Sequence, residues 1–240
     1  CFARAWLSIR FRTSHDLLPK PSNCMATDLD RFCSRLDSRQ LISALGRLPA
    51  EQSLAVPCLD ERQRQALVSL VDSLTYRSAK PVMGGATTPV YQDFELCYDI
   101  PPDHQLWELA RYLEKRIATT IKISGLQGHD ALQFNDLIVQ NYPPGCQGIT
   151  PHRDHVRYRI VVAIFLLSGD GNFCTCDDRS GTGAKTIPAV PGDLLLMSAP
   201  GLVEEGSGPL HFVNGVTRRR RTIGLRYDVH AMTNEDFQQT

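Results

Sequence analysis

The spacing of hydrophobic positions changes along this chain, and the change divides it into two halves. In the first half apolar residues recur every three or four positions, the spacing of one helix face. Leu29, Phe32, Cys33, Leu36, Leu41 and Leu45 predict a helix over Asp28–Leu45, capped by Thr27 or Asp28. Ala66, Leu67, Leu70, Val71 and Leu74 predict a second helix, capped by Asp60. Leu106, Ala110, Leu113, Ile117 and Ile121 predict a third after Pro102, with Asp103 at its cap and "GLQGHD" at its end. Between the second and third, "SAKPVMGGATTP" reads as a loop from its Gly and Pro content, and "VYQDFELCYDI" as a strand.

After Leu132 the helical period disappears. "DLIVQNY" is strand-like, and "RIVVAIFLLS" is a nearly unbroken β-branched and aromatic run, expected to be buried on both faces. "SGDGNF" reads as a tight hairpin through Asp170 and Gly171. "PGDLLLMS" and "RRRTIGLRYDV" complete the set of strands. Helices followed by many short strands predict an α+β fold, a β-sandwich or barrel with helices buttressing it. Residues 28–240 are expected to form one domain, with a helical and lid part over 28–131 and the β core over 132–230.

Composition narrows the class. Apolar residues make up 42% and charged residues 22% of 240 positions, which fits a globular chain and excludes a largely disordered one. Basic and acidic side chains balance to a formal net charge of +0, so the chain as a whole has no field to draw nucleic acid or a membrane surface, though a local basic patch stays open. The eight cysteines have no repeated spacing, which points to reduced thiols and a cytoplasmic protein, with a nuclear or organellar place open if the source is eukaryotic. No apolar run approaches the roughly 20 residues of a membrane span. The first 24 residues carry Arg4, Arg10, Arg12 and Lys20 against Asp16, a weak likeness to a transit peptide. The alternative is translation from Met25, with the preceding residues upstream sequence. On either reading residues 1–27 are expected to be poorly ordered or loosely docked.

The densest chemistry lies in "NYPPGCQGITPHRDH", Asn141 to His155. Residues i and i+2 of a strand share a face, so His152 and Asp154 project together and Arg153 faces away. An imidazole and a carboxylate supply two corners of a metal site, and His211 in "GPLHFV" is the natural third. Two histidines and one carboxylate leave three coordination positions open, which suits a non-haem Fe(II) that must bind a cosubstrate and oxygen together. On the last strand, Arg220, Thr222, Gly224 and Arg226 share one face, and Arg219, Arg221, Ile223 and Leu225 the other. Two guanidinium groups on one inner face can hold the two carboxylates of 2-oxoglutarate, and Tyr142 can add a hydroxyl donor.

In this order the Tyr-x-x-Gly loop, the His-x-Asp, the "PGDLLLMS" strand, His211 and the "RRTIGLR" strand resemble the AlkB-like branch of the Fe(II)- and 2-oxoglutarate-dependent dioxygenases. The resemblance covers roughly residues 130–228. It implies a double-stranded β-helix, a distorted jelly roll with helices packed outside. It implies His152, Asp154 and His211 as catalytic iron ligands, with Fe(II), 2-oxoglutarate and O2 as cofactor and cosubstrates. Arg220 would hold the distal carboxylate of 2-oxoglutarate, Arg226 would lie beside the keto-acid end, and Tyr142 would hydrogen-bond the cosubstrate. Arg221 is a rival to Arg220, disfavoured by strand parity. The last strand carries Thr222 and Gly224 where the family usually has an Asn-containing pattern. The implied reaction is hydroxylation of a C–H bond. If that carbon is bonded to nitrogen, dealkylation follows.

Substrate and side readings stay open at this level. An alkylated base in DNA or RNA is favoured by the aromatics near the lid and by Arg153, Arg157 and Arg159. A small metabolite or amino-acid-like molecule is favoured by the zero net charge. A third reading is a β-helix binding module without catalysis. Arg218, Arg219 and Arg221 are expected to be solvated, and His155 to lie at the surface or behind the metal ligands. "CTCDD" reads as a hairpin with buried thiols rather than a metal site. Trp107 reads as helix core, while Tyr91, Phe94 and Tyr98 can be core or substrate-stacking.

Overall fold

The computed structural model describes residues 33–126, 132–202 and 208–230. Among them lie helices α1 (Ser38–Glu51), α2 (Glu61–Asp72) and α3 (Gln105–Ser124). Five strands precede or separate the helices: β1 (Ser53–Pro57), β2 (Arg77–Ser78), β3 (Val82–Met83), β4 (Val90–Asp93) and β5 (Glu95–Cys97). Eight follow: β6 (Asp136–Tyr142), β7 (Gly148–His152), β8 (Tyr158–Ser168), β9 (Asn172–Cys176), β10 (Lys185–Thr186), β11 (Asp193–Ser198), β12 (Leu210–Asn214) and β13 (Arg220–Asp228).

The strands form two antiparallel sheets. The larger runs β1-β11-β8-β13-β6-β5-β2 and the smaller β10-β9-β12-β7-β4-β3. This is the double-stranded β-helix that the resemblance implied, with helices outside it. Alternation along the strands separates two cores. Val161, Ala163, Phe165 and Leu167 of β8 face the helices, together with Leu194 and Leu196 of β11 and Ile223 and Leu225 of β13. Val162 of β8 and Leu195 and Met197 of β11 face the other sheet, against Ile149, Phe173 and Val213. The "RIVVAIFLLS" run is therefore buried on both faces, as its composition indicates.

The second and third helices stand where periodicity placed them. Asp60 accepts the Gln63 backbone N–H at 2.8 Å, and the Gln63 side chain accepts the Asp60 N–H, a full capping box. The cap of α3 is His104 rather than Asp103. The His104 N–H bonds the Pro101 carbonyl, and this turn moves the helix start on by one residue; His104 Nδ1 then accepts from the Leu106 N–H. Gly125 ends α3 in a left-handed conformation.

The first helix differs more. Residues 28–32 lie outside the described residues, as do 1–27. Cys33–Asp37 is a turn, pinned by the Arg35 N–H to the Cys58 carbonyl. The helix begins after Asp37, whose carboxylate accepts from the Arg39 and Gln40 N–H groups, and its buried stripe is Leu41, Ala44, Leu45 and Leu48. β1 went unread in the sequence; it is a five-residue edge strand paired only with β11.

Two segments read as single local units in fact cross between the sheets. "VYQDFELCYDI" is β4 in the smaller sheet and β5 in the larger, with Phe94 as pivot. "SGDGNF" is no hairpin of paired strands, because β8 and β9 belong to different sheets. Its turn is bonded elsewhere. Asp170 accepts from the backbone N–H groups of Thr217 and Arg218 and from the Thr217 hydroxyl. A Cβ on Gly169 would lie 2.3 Å from the Arg219 carbonyl oxygen, so only glycine fits there. No helix among the described residues is long and apolar enough to cross a membrane.

Candidate active site

Register brings the two histidines together. β7 and β12 are neighbours, and His152 lies directly opposite His211 across the antiparallel pair. Their ring centroids are 4.3 Å apart. Asp154 lies just past the end of β7 and completes the group. One ligand atom from each of His152, Asp154 and His211 lies within 4.8 Å of the others, a spacing that can hold a metal ion.

The ring orientations suit that use. His152 Nδ1 lies 2.9 Å from the Thr150 carbonyl and His211 Nδ1 lies 3.1 Å from the Pro209 carbonyl. A carbonyl can only accept, so each Nδ1 is the protonated nitrogen and each Nε2 keeps its lone pair for a ligand. Burial, reinforced by the neighbouring His211, pushes the His152 pKa down to about 4, so this ring is neutral at physiological pH. Burial by itself would raise the Asp154 pKa; the fields of His211, Arg226 and His152 outweigh it and hold the carboxyl below the ordinary carboxylate value. A neutral histidine and an ionised aspartate are the forms that bind Fe(II).

The residues expected to hold the cosubstrate form a ladder with their neighbours on the inner face of the β6–β13 pair. Arg220 lies opposite Tyr142, Thr222 opposite Gln140, Gly224 opposite Ile138 and Arg226 opposite Asp136. All eight except Asp136 line one cleft between the sheets, of about 710 Å³, which His152, Asp154 and His211 also line. Tyr142 is buried, and desolvation raises its pKa, so the hydroxyl keeps its proton as a donor.

Arg220 is the most informative side chain. It is only 2% exposed and has no carboxylate partner among the described residues. Its Nη1 reaches the Asp170 carbonyl at 3.4 Å, and its Nε has no hydrogen-bond partner. A buried guanidinium without an anion is costly, so this position calls for an anionic ligand. Its rival in the sequence, Arg221, is turned away from the cleft. Arg221 points to the helix side and donates to the Asp72 carboxylate from Nε at 2.6 Å and Nη2 at 2.9 Å. It is therefore not solvated, as its place in the RRRR run suggested, but pinned to α2.

Arg226 is differently placed. Its Nε and Nη2 donate to Asp136 at 2.9 and 2.6 Å, Nη2 also donates to the Tyr98 hydroxyl at 2.9 Å, and the guanidinium lies 4.5 Å from the Tyr158 ring centroid. Its charge is matched within the protein, unlike that of Arg220. Asp136, Tyr158 and Gln140 were not read as site residues from sequence. Strand parity carried the signal: Asp136, Ile138, Gln140 and Tyr142 alternate on one face of β6.

Other candidates settle elsewhere. His155 is exposed, and its Nδ1 accepts from the Arg157 N–H. Arg157 pairs with Asp228 at 3.0 Å, and Arg159 does not line the cleft, so of those three arginines only Arg153 faces it without an acidic partner. Trp107 packs against the helix core. Phe94 is buried against Tyr142, Tyr98 lines the cleft, and Tyr91 is 55% exposed outside it. Cys174 and Cys176 are free thiols on β9.

The fold is shared with solved structures of known chemistry. No family model matches the chain, and no curated protein matches it either. Many solved structures resemble it, among them the following three. A 2OG-Fe(II) oxygenase family oxidoreductase from Burkholderia pseudomallei matches with TM-score 0.54 and 14% identity over 84% of this chain and 95% of that one. A prolyl hydroxylase from Trichoplax adhaerens, in complex with a hypoxia inducible factor oxygen degradation domain peptide fragment, matches with TM-score 0.56 and 15% identity over 86% and 94%. A prolyl-4-hydroxylase from Pseudomonas putida matches with TM-score 0.55 and 16% identity over 79% and 99%. The chain thus has the fold of the 2-oxoglutarate- and Fe(II)-dependent oxygenases, and the comparisons do not single out the AlkB-like branch.

Proposed function

We propose that this protein is a 2-oxoglutarate-dependent dioxygenase that hydroxylates a C–H bond, with His152, Asp154 and His211 as its Fe(II) ligands. The observation that carries the reading is Arg220, a buried and unmatched guanidinium lining the same cleft as that triad. Arg220 would hold the distal carboxylate of 2-oxoglutarate in a two-pronged pair, with the Tyr142 hydroxyl as a further donor. Arg226, fixed by Asp136, would present its remaining N–H groups at the keto-acid end without adding net charge. Bound together, Fe(II) and 2-oxoglutarate supply the oxidising chemistry, coupling O2 reduction and loss of carbon dioxide to substrate oxidation. The chain's own work is positioning. The paired carbonyls of Thr150 and Pro209 fix the imidazole rings, and the apolar wall of Val162, Phe173, Met197 and Val213 limits water around the centre.

Among substrates, the N-dealkylation of a nucleobase follows from the AlkB-like sequence order, and a smaller or peptide substrate follows from the prolyl hydroxylase neighbours. We read residues 28–240 as one catalytic domain. The test is succinate release from 2-oxoglutarate under air with added Fe(II), first without substrate and then with methylated oligonucleotides and small-molecule panels. Turnover should appear in the native protein and vanish in Asp154→Ala with the fold retained. Equal succinate release from both would defeat the triad assignment. No release from a folded native protein that holds Fe(II) would favour a binding module.

A further inference from the structure

The charge around the cleft does not match the charge of the chain. The chain carries 26 basic and 26 acidic side chains. The cleft is lined by Asp154 as its one carboxylate among the described residues, against seven lysine and arginine side chains. Three of those seven have an assigned counter-charge. Arg157 is paired with Asp228 and Arg226 with Asp136, while Arg220 is assigned to the cosubstrate. A divalent iron, a doubly charged 2-oxoglutarate, Asp154 and Arg220 cancel one another, so loading the site leaves the remaining cations uncompensated.

Those four are Arg77, Lys80, Arg153 and Arg179, and all are exposed. None has an acidic partner among the described residues. Arg153 donates to the Gly208 carbonyl at 3.0 Å, and Arg179 reaches the Pro151 carbonyl at 3.5 Å, contacts that orient a guanidinium and leave its charge intact. They also come from two flanks. Arg77 lies on β2 and Lys80 just after it, at the edge of the larger sheet. Arg153 and Arg179 follow β7 and β9 of the smaller sheet. Like charges around a concave, low-dielectric mouth repel one another and focus a positive potential into it.

We propose that the cleft takes a polyanionic substrate, with phosphate or carboxylate groups on both sides of the reacting carbon, held by Arg77 and Lys80 on one flank and by Arg153 and Arg179 on the other. The inference rests on the dioxygenase reading for the reacting centre, but the anion site is a separate set of side chains. Its chemistry is that of several anionic groups on one ligand, present in a phosphodiester strand or in a small polyphosphorylated or polycarboxylated molecule.

Two probes distinguish those sources: a fluorescein-labelled single-stranded oligodeoxynucleotide followed by anisotropy, and inorganic triphosphate followed by calorimetry. Each is titrated into the full chain at about 50 mM salt, both with saturating Mn(II) and 2-oxoglutarate under argon and without them. The native protein should bind at least one probe, with an affinity that falls as salt rises. Lys80→Glu and Arg179→Glu, one from each flank, should each weaken binding about tenfold. Arg62→Glu makes the same charge change at an exposed position on α2 away from the cleft, and should leave binding unchanged. Binding of the strand alone supports a phosphodiester substrate, and binding of triphosphate alone a small one. Binding of neither probe, or equal weakening by Arg62→Glu, overturns the proposal. Because the rim is tested with and without the cofactors, its failure is distinct from a failure of the metal site.

Discussion

Replacing Arg220 by methionine should have two effects of opposite sign. Methionine approximates the length and volume of the arginine stem, so packing is largely kept. In the absence of ligand, the native protein holds a 2% exposed guanidinium with an unbonded Nε and one long contact to the Asp170 carbonyl. Exchanging a buried, poorly matched ionic group for an apolar one is commonly neutral or stabilising by about 1–4 kcal/mol. Arg220→Met should therefore unfold at the same denaturant concentration as the native protein, or a higher one. Binding of 2-oxoglutarate should change in the other direction. Truncating one partner of a buried, hydrogen-bonded charge pair costs about 2–5 kcal/mol, which is about 30- to 4,000-fold in affinity. The assay is calorimetric titration of 2-oxoglutarate into Mn(II)-loaded protein under argon, with urea unfolding in parallel. At 100 times its Kd the cosubstrate should stabilise the native protein by about 2.7 kcal/mol, and the variant hardly at all. Arg221→Met is the control. It removes the Asp72 pair on the helix side and should cost about 1 kcal/mol of stability or less, with cosubstrate affinity unchanged. Cosubstrate binding by Arg220→Met within about threefold of native would refute the assignment, and so would marked destabilisation of the ligand-free variant.

The metal-free protein should lose stability as pH falls from about 6.5 towards 4. His152 binds its proton near pH 6.5 when unfolded but only at about 4 when folded, so acid favours the unfolded chain in that window. Urea unfolding of native protein and His152→Gln at pH 7 and pH 5 should show the smaller loss in the variant; equal losses would count against a buried neutral imidazole. Asp136→Asn leaves the Arg226 side chain, only 12% exposed, without its carboxylate, and should cost about 3–5 kcal/mol of stability in the same assay. No change would mean that Tyr98 and Tyr158 suffice to hold it. Asp170→Ala removes the carboxylate that accepts from the Thr217 and Arg218 backbone N–H groups, and should lower the melting temperature; affinity for 2-oxoglutarate should fall with it, because the loosened turn carries the main-chain carbonyl that Arg220 contacts.

The parts of this molecule legible in its sequence were those with a local cause. Asp60 as a cap located the start of α2, and strand parity separated Arg220 from Arg221. His152, Asp154 and His211 could be grouped because a metal site demands particular atoms, whatever the path of the chain between them. What the sequence did not disclose were relations between segments. Phe94 turns an apparently continuous strand into two in different sheets, and the Asp170 turn is bonded to residues 217 and 218 rather than within a hairpin. The first helix was read as continuous to Leu45, but Cys33–Asp37 is a turn, and Asp37 is a competent cap for the helix that buries Leu41, Leu45 and Leu48. The partners of Arg226 depend on the β6–β13 register, which places Asp136 opposite it across ninety residues of chain.

His152, Asp154 and His211 are proposed to build a working Fe(II) and 2-oxoglutarate site. Its most direct test is visible absorption of the full chain under argon with Fe(II), with 2-oxoglutarate, and with both. A weak charge-transfer band should appear only when both are present and be lost in His211→Ala and in Arg220→Met. A folded native protein with no band, or a band that survives His211→Ala, would contradict that proposal.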